Sequence, residues 1–237
     1  MSHAIPAPAL LSDVGEVRWH SLYRIAAIAA LISVAIFLVQ IVAFFVWPPP
    51  STVAGHFALL QSHPLIGLVS LDFFIIVDEV LAIPLFLALY LSLRHVNESL
   101  MLLGTALSAA SILCFLIATP ALSMLVLSQQ YATATNGGER ERLLAAGQAL
   151  LSCWQGTPFQ VGYIVGTLGM LLVAWVMLRS EIFSKAAAYV GIAASVIGFG
   201  FYLPKIGVLL SILSVVVIQV WYVMIALVFL RISKRSR

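Results

Sequence analysis

Six long apolar segments constrain how this chain can fold more than any other feature of its sequence. A transmembrane helix requires about 20 mainly apolar residues, and each segment approaches or exceeds that length. Nearly all charged side chains lie at the ends of these segments, as expected when the apolar parts are buried in lipid. The predicted spans are residues 23–46, 65–93, 101–127, 159–178, 186–203 and 206–230.

The composition excludes a water-soluble core. Of the 237 residues, 62% are apolar and 9% are charged, whereas soluble domains carry about 25% charged residues. The strands of a transmembrane β-barrel alternate polar and apolar residues, but these segments are apolar on every face. The sequence therefore predicts an all-α, polytopic transmembrane helix bundle with six spans and no soluble domain attached.

The chain divides into three predicted parts. Residues 1–22 form a cytoplasmic N-terminal segment, residues 23–230 the transmembrane domain and residues 231–237 a basic cytoplasmic tail. We interpret the first apolar segment as a retained span rather than a signal peptide. It is longer than the apolar core of a signal peptide, which has about 7–15 residues, and Trp47 and three prolines follow it instead of a small-residue cleavage site.

The distribution of Lys and Arg predicts the orientation in the membrane. One side of the predicted membrane collects nine basic residues and the other collects three. The positive-inside rule assigns the richer side to the cytoplasm, so both termini are predicted to be cytoplasmic. The nine are Arg18, Arg24, Arg94, Arg179, Lys185, Arg231, Lys234, Arg235 and Arg237, and the three are Arg140, Arg142 and Lys205.

The longest predicted exterior stretch, residues 128–158, contains an amphipathic helix. Asn136 and two glycines break the chain, and over residues 139–154 leucines then recur at helical spacing opposite charged side chains. Such a helix is predicted to lie on the outer membrane surface or to cover the bundle.

Small residues recur four positions apart in three of the spans. These pairs are Gly162 with Gly166, Gly104 with Ser108 and Gly191 with Ser195. Small side chains let helix backbones approach closely in a membrane, so all three pairs are predicted to serve helix packing.

Three acidic residues lie inside the second predicted span: Asp72, Asp78 and Glu79. A charged side chain at the bilayer centre costs about 3 kcal/mol on insertion scales, so such a residue usually has a partner or a function. On an ideal helix Asp72 and Glu79 share nearly one face, whereas Asp78 points about 100° away. At about 1.5 Å per residue, Asp72 lies roughly 10 Å below the outer end, and the other two lie near the midplane.

Polar groups of the second and sixth spans are predicted to meet at the midplane. Pro84 leaves the carbonyl of Val80 without its helical donor, and a side chain or a water molecule can satisfy that carbonyl. This predicts a cluster that binds a ligand or a proton. The alternative is that protonated acids only hydrogen-bond neighbouring helices. The predicted cluster comprises Asp78, Glu79, Gln219 and Tyr222.

Asp72 has a separate predicted partner. Lys205 lies in the short turn between the fifth and sixth spans, at the same outer end, so the two residues are predicted to form an ion pair. His56 and His63, in the first outer loop, are weak candidates to bind an outer metal together with Asp72. Because their spacing matches no zinc signature, no metal site is predicted.

The sequence carries no motif for cofactor chemistry. It contains no P-loop, dinucleotide fingerprint, HExxH helix or hydrolase elbow. Cys114 and Cys153 are isolated and predict neither a disulfide framework nor a metal site. The formal charge of +3 comes mostly from span ends, so it indicates membrane topology and not nucleic-acid binding. We predict no cofactor and no nucleic-acid partner.

Five short stretches carry a resemblance to a known family: residues 85–100, 127–131, 147–151, 178–180 and 188–191. They resemble an uncharacterised bacterial membrane family, domain of unknown function 4386. The resemblance covers most of the chain, with weak and mostly apolar motifs. It implies six helices and a bacterial inner membrane, and it brings no catalytic residues with it.

Three functions fit these observations. The leading interpretation is a non-enzymatic membrane protein that binds, senses or transports a small solute, a proton or a lipid through the polar pocket. A lipid-directed intramembrane enzyme would instead use Asp78 and Glu79 as general acid and base. An accessory subunit would use the same groups only to fix helix packing. Membrane lipids are expected partners, and another membrane protein or a second copy of the chain is a candidate partner.

Overall fold

The computed structural model describes residues 19–235. Across this range the regular structure is helical, and no residue lies in a strand. Most of the predicted N-terminal segment, residues 1–18, and the last two residues of the predicted tail lie outside the described residues.

Helices follow one another through short connections along the described range. One 3₁₀ turn, Gly200–Tyr202, follows the ninth α-helix. The α-helices are α1 (His20–Val46), α2 (Val53–Ser62), α3 (Pro64–Ser70), α4 (Phe73–Leu93), α5 (Glu98–Ala118), α6 (Ala121–Thr133), α7 (Gly137–Trp154), α8 (Thr157–Met177), α9 (Lys185–Phe199) and α10 (Gly207–Arg235).

Six helical stretches among the described residues are long and apolar enough to cross a membrane. This confirms the predicted helical class and the predicted number of membrane-spanning helices. The stretches are His20–Val46, Phe73–Leu93, Glu98–Thr133, Gly137–Met177, Lys185–Tyr202 and Gly207–Lys234.

Local sequence determines where several helices begin. The side-chain oxygens of Thr52, Asn136 and Ser184 each accept a hydrogen bond from the backbone N–H three residues on, at 3.1, 2.8 and 3.2 Å. These caps satisfy amide groups that have no partner within their own helix. They begin α2, α7 and α9, so the amphipathic helix predicted after Asn136 is present.

The second predicted span is not continuous. Leu71 and Asp72 separate α3 from α4, and Asp72 has a φ of 60°. Aspartate is one of the few residues other than glycine that adopt this left-handed conformation. The 29 residues of the predicted span therefore form two helices joined by a two-residue break.

The third predicted span is also divided. Helix α5 ends at Ala118, and α6 begins at Ala121 after Pro120. Proline has no amide hydrogen and clashes with the preceding turn, so it favours a helix end at this point. The chain then continues in α6 as far as Thr133.

The described residues form two compact units, and within α4 the boundary between them falls at Pro84. The first unit contains the described residues up to Ile32, Pro84–Thr105 and those from Leu171 onward. The second unit contains Ser33–Ile83 and Ala106–Met170.

In the first unit, α9 packs closely against Trp221 of α10. A Cβ atom on Gly191 would lie 2.7 Å from Trp221 Nε1 and 2.8 Å from the Cβ of Ala174. No side chain larger than hydrogen fits there, and Ser195 is buried one turn further along. The predicted packing role of Gly191 is confirmed.

In the second unit, Gly162 and Gly166 of α8 pack against α5. A Cβ atom on Gly162 would lie 2.9 Å from Cys114 Cβ, and one on Gly166 would clash with the hydroxyl of Ser111. That hydroxyl donates a hydrogen bond to the carbonyl of Gly162 at 2.8 Å. The predicted packing role of this pair is also confirmed.

Four helices of the second unit, α2, α3, α6 and α7, enclose a small apolar core that we call the short-helix cluster. A Cβ atom on Gly147 would lie 2.5 Å from Val53 Cγ1, so α7 approaches α2 closely. The apolar face of α7 therefore packs against protein, with Leu144, Leu150 and Leu151 in contact with the core. The buried core residues are Val53, Phe57, Leu60, Leu71, Ala121 and Met124.

Candidate functional site

The acidic pair lies in the second turn of α4, in a wholly apolar stretch of that helix. Asp78 and Glu79 are both partly buried. The Oδ1 atom of Asp78 is fully buried, and no described group forms a hydrogen bond with it. A buried polar atom without a partner costs about 1–3 kcal/mol. This oxygen is therefore a position where a proton, a water molecule or a ligand would be stabilised.

Helix α1 places a hydroxyl beside this pair. Ser33 is 1% exposed, and its side chain interacts with the carboxyl of Asp78. The Ser33 Oγ atom lies outside hydrogen-bonding geometry, since it has no hydrogen-bond partner among the described residues. Ser33 thus acts on Asp78, and the two adjacent carboxyls act on each other.

The break in the second span forms a second polar site. Gln40 of α1 donates from Nε2 to the carbonyl oxygen of Val69 at 3.1 Å and to Asp72 Oδ1 at 3.5 Å. Since the helical ladder is interrupted at Leu71, Gln40 binds backbone and side-chain acceptors at the break. The Gln40 Oε1 atom is buried and has no hydrogen-bond partner among the described residues.

Sequence reasoning missed Ser33 and Gln40, although the sequence contains a signal for both. They lie seven positions apart in the first span, and Asp72 and Glu79 lie seven positions apart in the second. Positions seven apart on a helix share a face. The structure pairs Gln40 with Asp72, as expected for antiparallel helices that meet along these faces. It places Ser33 beside Asp78, however, and not beside Glu79.

Gln219 and Tyr222, the other members of the predicted cluster, lie on α10 in the first unit. Both are buried, and Gln219 Oε1 has no hydrogen-bond partner among the described residues. Asp78 and Glu79 belong to the second unit. The grouping of all four residues stays a prediction.

Asp72 and Lys205 are the two residues other than glycine with positive φ among those described, at 60° and 69°. Lys205 is exposed and lies in the turn before α10, in the first unit, whereas Asp72 lies in the second. Their ion pair stays a prediction. The side-chain partner that the structure gives to Asp72 is Gln40.

The two histidines occupy different environments. His56 is 5% exposed and belongs to the face of α2 that carries Val53 and Phe57, whereas His63 is exposed between α2 and α3. Burial lowers the pKa of the His56 imidazole, and an interaction with the Pro50 carbonyl partly offsets this effect. Among residues 19–235, no three metal-binding side chains are grouped together.

We compared the chain with known proteins. No family model, no curated protein and no solved structure matches the chain.

Proposed function

We propose that this chain is a multi-pass membrane protein in which Asp78 and Glu79 take up and release a proton within the second span. The observation that carries the proposal is the buried Asp78 Oδ1, which has no hydrogen-bond partner among the described residues. It belongs to one of two adjacent carboxyls in a helix that is long and apolar enough to cross a membrane. Such groups in a span commonly belong to proton relays or solute pathways.

The proton is proposed to accompany the binding, sensing or transport of a small solute or lipid, with no enzymatic reaction. An enzyme acting through this pair needs a polar group in hydrogen-bonding range of a carboxyl. Ser33, the hydroxyl beside Asp78, makes no hydrogen bond with a described residue. The hydroxyl thus lends no support to the enzymatic alternative.

The remaining features of the proposal follow from the sequence. Both termini are proposed to be cytoplasmic because basic residues concentrate on that side, and α7 is then an outer helix. The weak family resemblance supports a bacterial inner membrane and membership of the domain of unknown function 4386 family.

Proton movement in reconstituted vesicles tests the proposal. Vesicles that contain the purified protein and an internal pH dye receive an external pH step. The wild-type protein is expected to accelerate internal pH change, while Glu79→Gln is expected to match empty vesicles. The matched control is Glu98→Gln, since Glu98 is exposed in the first turn of α5. Equal rates for wild-type protein and a folded Glu79→Gln variant would contradict the proposal.

A further inference from the structure

The break between α3 and α4 brings three oxygen-bearing groups together. They are the carboxamide of Gln40, the carbonyl of Val69 and the carboxyl of Asp72. The first comes from α1, the second from the C-terminal end of α3 and the third from the break itself. All three lie in the second unit.

One oxygen of this group lacks a partner. Gln40 Nε2 donates to both the Val69 carbonyl and Asp72, but Gln40 Oε1 is buried and accepts no hydrogen bond from a described residue. Buried polar atoms in native proteins are nearly always paired. The unpaired oxygen belongs to the same carboxamide whose Nε2 atom faces the carbonyl and the carboxyl, so the present orientation leaves one polar atom of Gln40 without a donor.

Rotation of the Gln40 carboxamide by half a turn would complete a set of ligands. Oε1 would then take the position of Nε2, 3.1 Å from the Val69 carbonyl oxygen and 3.5 Å from Asp72 Oδ1. In that orientation the Gln40 oxygen would be repelled by the carbonyl and carboxyl oxygens unless a cation lies among them. In one orientation the Gln40 side chain thus donates hydrogen bonds to the acceptors at the break. In the other orientation it provides an oxygen ligand for a cation.

Size and charge indicate which cation fits. Oxygen ligands lie about 2.3–2.6 Å from an ion of the size of Ca²⁺, so two ligands at right angles are roughly 3.3–3.7 Å apart. Na⁺ has nearly the same radius. The three groups contain a single carboxylate, which one positive charge neutralises, whereas a divalent ion would leave an excess charge next to apolar helices.

We infer that the Gln40–Val69–Asp72 break is a binding site for Na⁺. Interrupted membrane helices provide such sites in transporters, where unwound carbonyls and helix C-terminal ends coordinate the ion. The last carbonyls of α3 are placed in this way, and their partial negative charge favours a cation. This site does not depend on the proposed proton chemistry of Asp78 and Glu79.

Binding of Na⁺ alone tests the inference. The purified chain in detergent is titrated with NaCl, with choline chloride added to keep the ionic strength constant, and bound ²²Na⁺ is measured by equilibrium dialysis. The wild-type protein is expected to bind one ion per chain, saturably. Its thermal unfolding midpoint is expected to rise with NaCl and not with choline chloride, because a ligand of the folded state stabilises it.

Two variants remove one ligand each with little disturbance of the fold. Asp72→Asn keeps the side-chain size and the tolerance for positive φ, and Gln40→Met keeps the side-chain length. Each is expected to lower Na⁺ affinity at least tenfold. The matched control is Gln61→Met, since Gln61 Nε2 also donates to a carbonyl of another helix, that of Ser128 at 2.9 Å, without a carboxyl. It is expected to bind Na⁺ like the wild-type protein.

Three results would overturn the inference. One is the absence of saturable ²²Na⁺ binding to the wild-type protein, which needs no variant to fold. Another is unchanged affinity in Asp72→Asn or in Gln40→Met. The third is ²²Na⁺ binding that appears in the Lys205→Met variant but not in the wild-type protein. The lysine ammonium would then be the natural cation of Asp72. Loss of the vesicle pH response in Glu79→Gln tests the proposed function separately and leaves the Na⁺ result unaffected.

Discussion

The polar break at Asp72 and the acidic pair at Asp78 and Glu79 both receive a side chain from α1 but differ in how their carboxyls are held. At the break Gln40 donates to the Val69 carbonyl, which also accepts from the Asp72 backbone N–H, and to the Asp72 carboxyl. At the pair α4 is intact, and the hydroxyl beside Asp78, that of Ser33, makes no hydrogen bond with a described residue. The carboxyl of Asp72 thus has a fixed hydrogen-bond donor, whereas Asp78 Oδ1 has none among the described residues.

This difference has a physical consequence. A fixed donor stabilises one geometry of a carboxyl and contributes to folding, by about 0.5–1.5 kcal/mol for a typical hydrogen bond. A buried carboxyl oxygen without a donor lowers stability, and it can gain a favourable contact only by binding something. Substitutions at the break are thus expected to act on stability, and substitutions at the pair on proton binding.

The largest expected effect on stability comes from Asp72→Val. A left-handed conformation costs L-residues about 1–2 kcal/mol, and a β-branched side chain tolerates it poorly. Together with the lost bond from Gln40, the variant is expected to lower the free energy of unfolding by about 2–3 kcal/mol. Chemical unfolding in mixed micelles measures the change. Asp78→Val, in regular helix, is the matched control, and an equal loss in both variants would remove the distinction between the two regions.

A smaller loss is expected for Gln40→Met. The variant removes both hydrogen bonds at the break, and interhelical bonds in membranes contribute about 0.6–2 kcal/mol each. We expect a decrease of about 1 kcal/mol in the free energy of unfolding, which a double-mutant cycle with Asp72→Asn assigns to the contact. Zero coupling energy between these residues would show that the contact contributes nothing.

The pH dependence of stability is expected to come in part from His56, outside both regions. Burial lowers its pKa in the folded protein below the ordinary value of 6.5. Below that pH the unfolded chain binds a proton that the folded chain does not, so stability falls as pH falls toward the folded pKa. Thermal unfolding from pH 7.5 to 5 measures this decline, which His56→Phe is expected to reduce. An identical decline in the variant would exclude His56 as its source.

The smallest expected effect on stability is that of Ser33→Ala. Because Ser33 Oγ makes no hydrogen bond with a described residue, its removal is expected to change the free energy of unfolding by less than about 0.5 kcal/mol. The same variant is expected to alter the pH response in vesicles, since the hydroxyl acts on the carboxyl of Asp78. A large loss of stability would contradict this expectation and would show that the Ser33 hydroxyl makes a stabilising hydrogen bond.

The sequence predicts the helices better than it predicts their interruptions. Long apolar runs and the helical spacing after Asn136 identify the spans and α7, because these signals are local. Pro120 signals the end of α5, but nothing local marks the break at Leu71 and Asp72. The side chain that donates at the break, Gln40, lies 29 positions before Val69 in the chain, so its contact is not a local signal.

The residues of the candidate sites also differ in how readily the sequence reveals them. Asp72, Asp78 and Glu79 stand out from the sequence because charge is rare in an apolar segment. Ser33 and Gln40 are uncharged and draw attention only when two helices are aligned by their polar faces. His56 is a weak candidate metal ligand in the sequence, yet it is buried on the same helix as Val53 and Leu60, which belong to the short-helix cluster.

The central claim is that Asp78 and Glu79 bind a proton whereas Asp72 is held by Gln40. Infrared difference spectroscopy of the carboxyl C=O stretch, recorded on membranes between two pH values, tests it most directly. We predict a pH-dependent carboxyl band in the wild-type protein and in Asp72→Asn, and its loss or shift in Glu79→Gln. A band that is unchanged in Glu79→Gln and absent in Asp72→Asn would contradict the account.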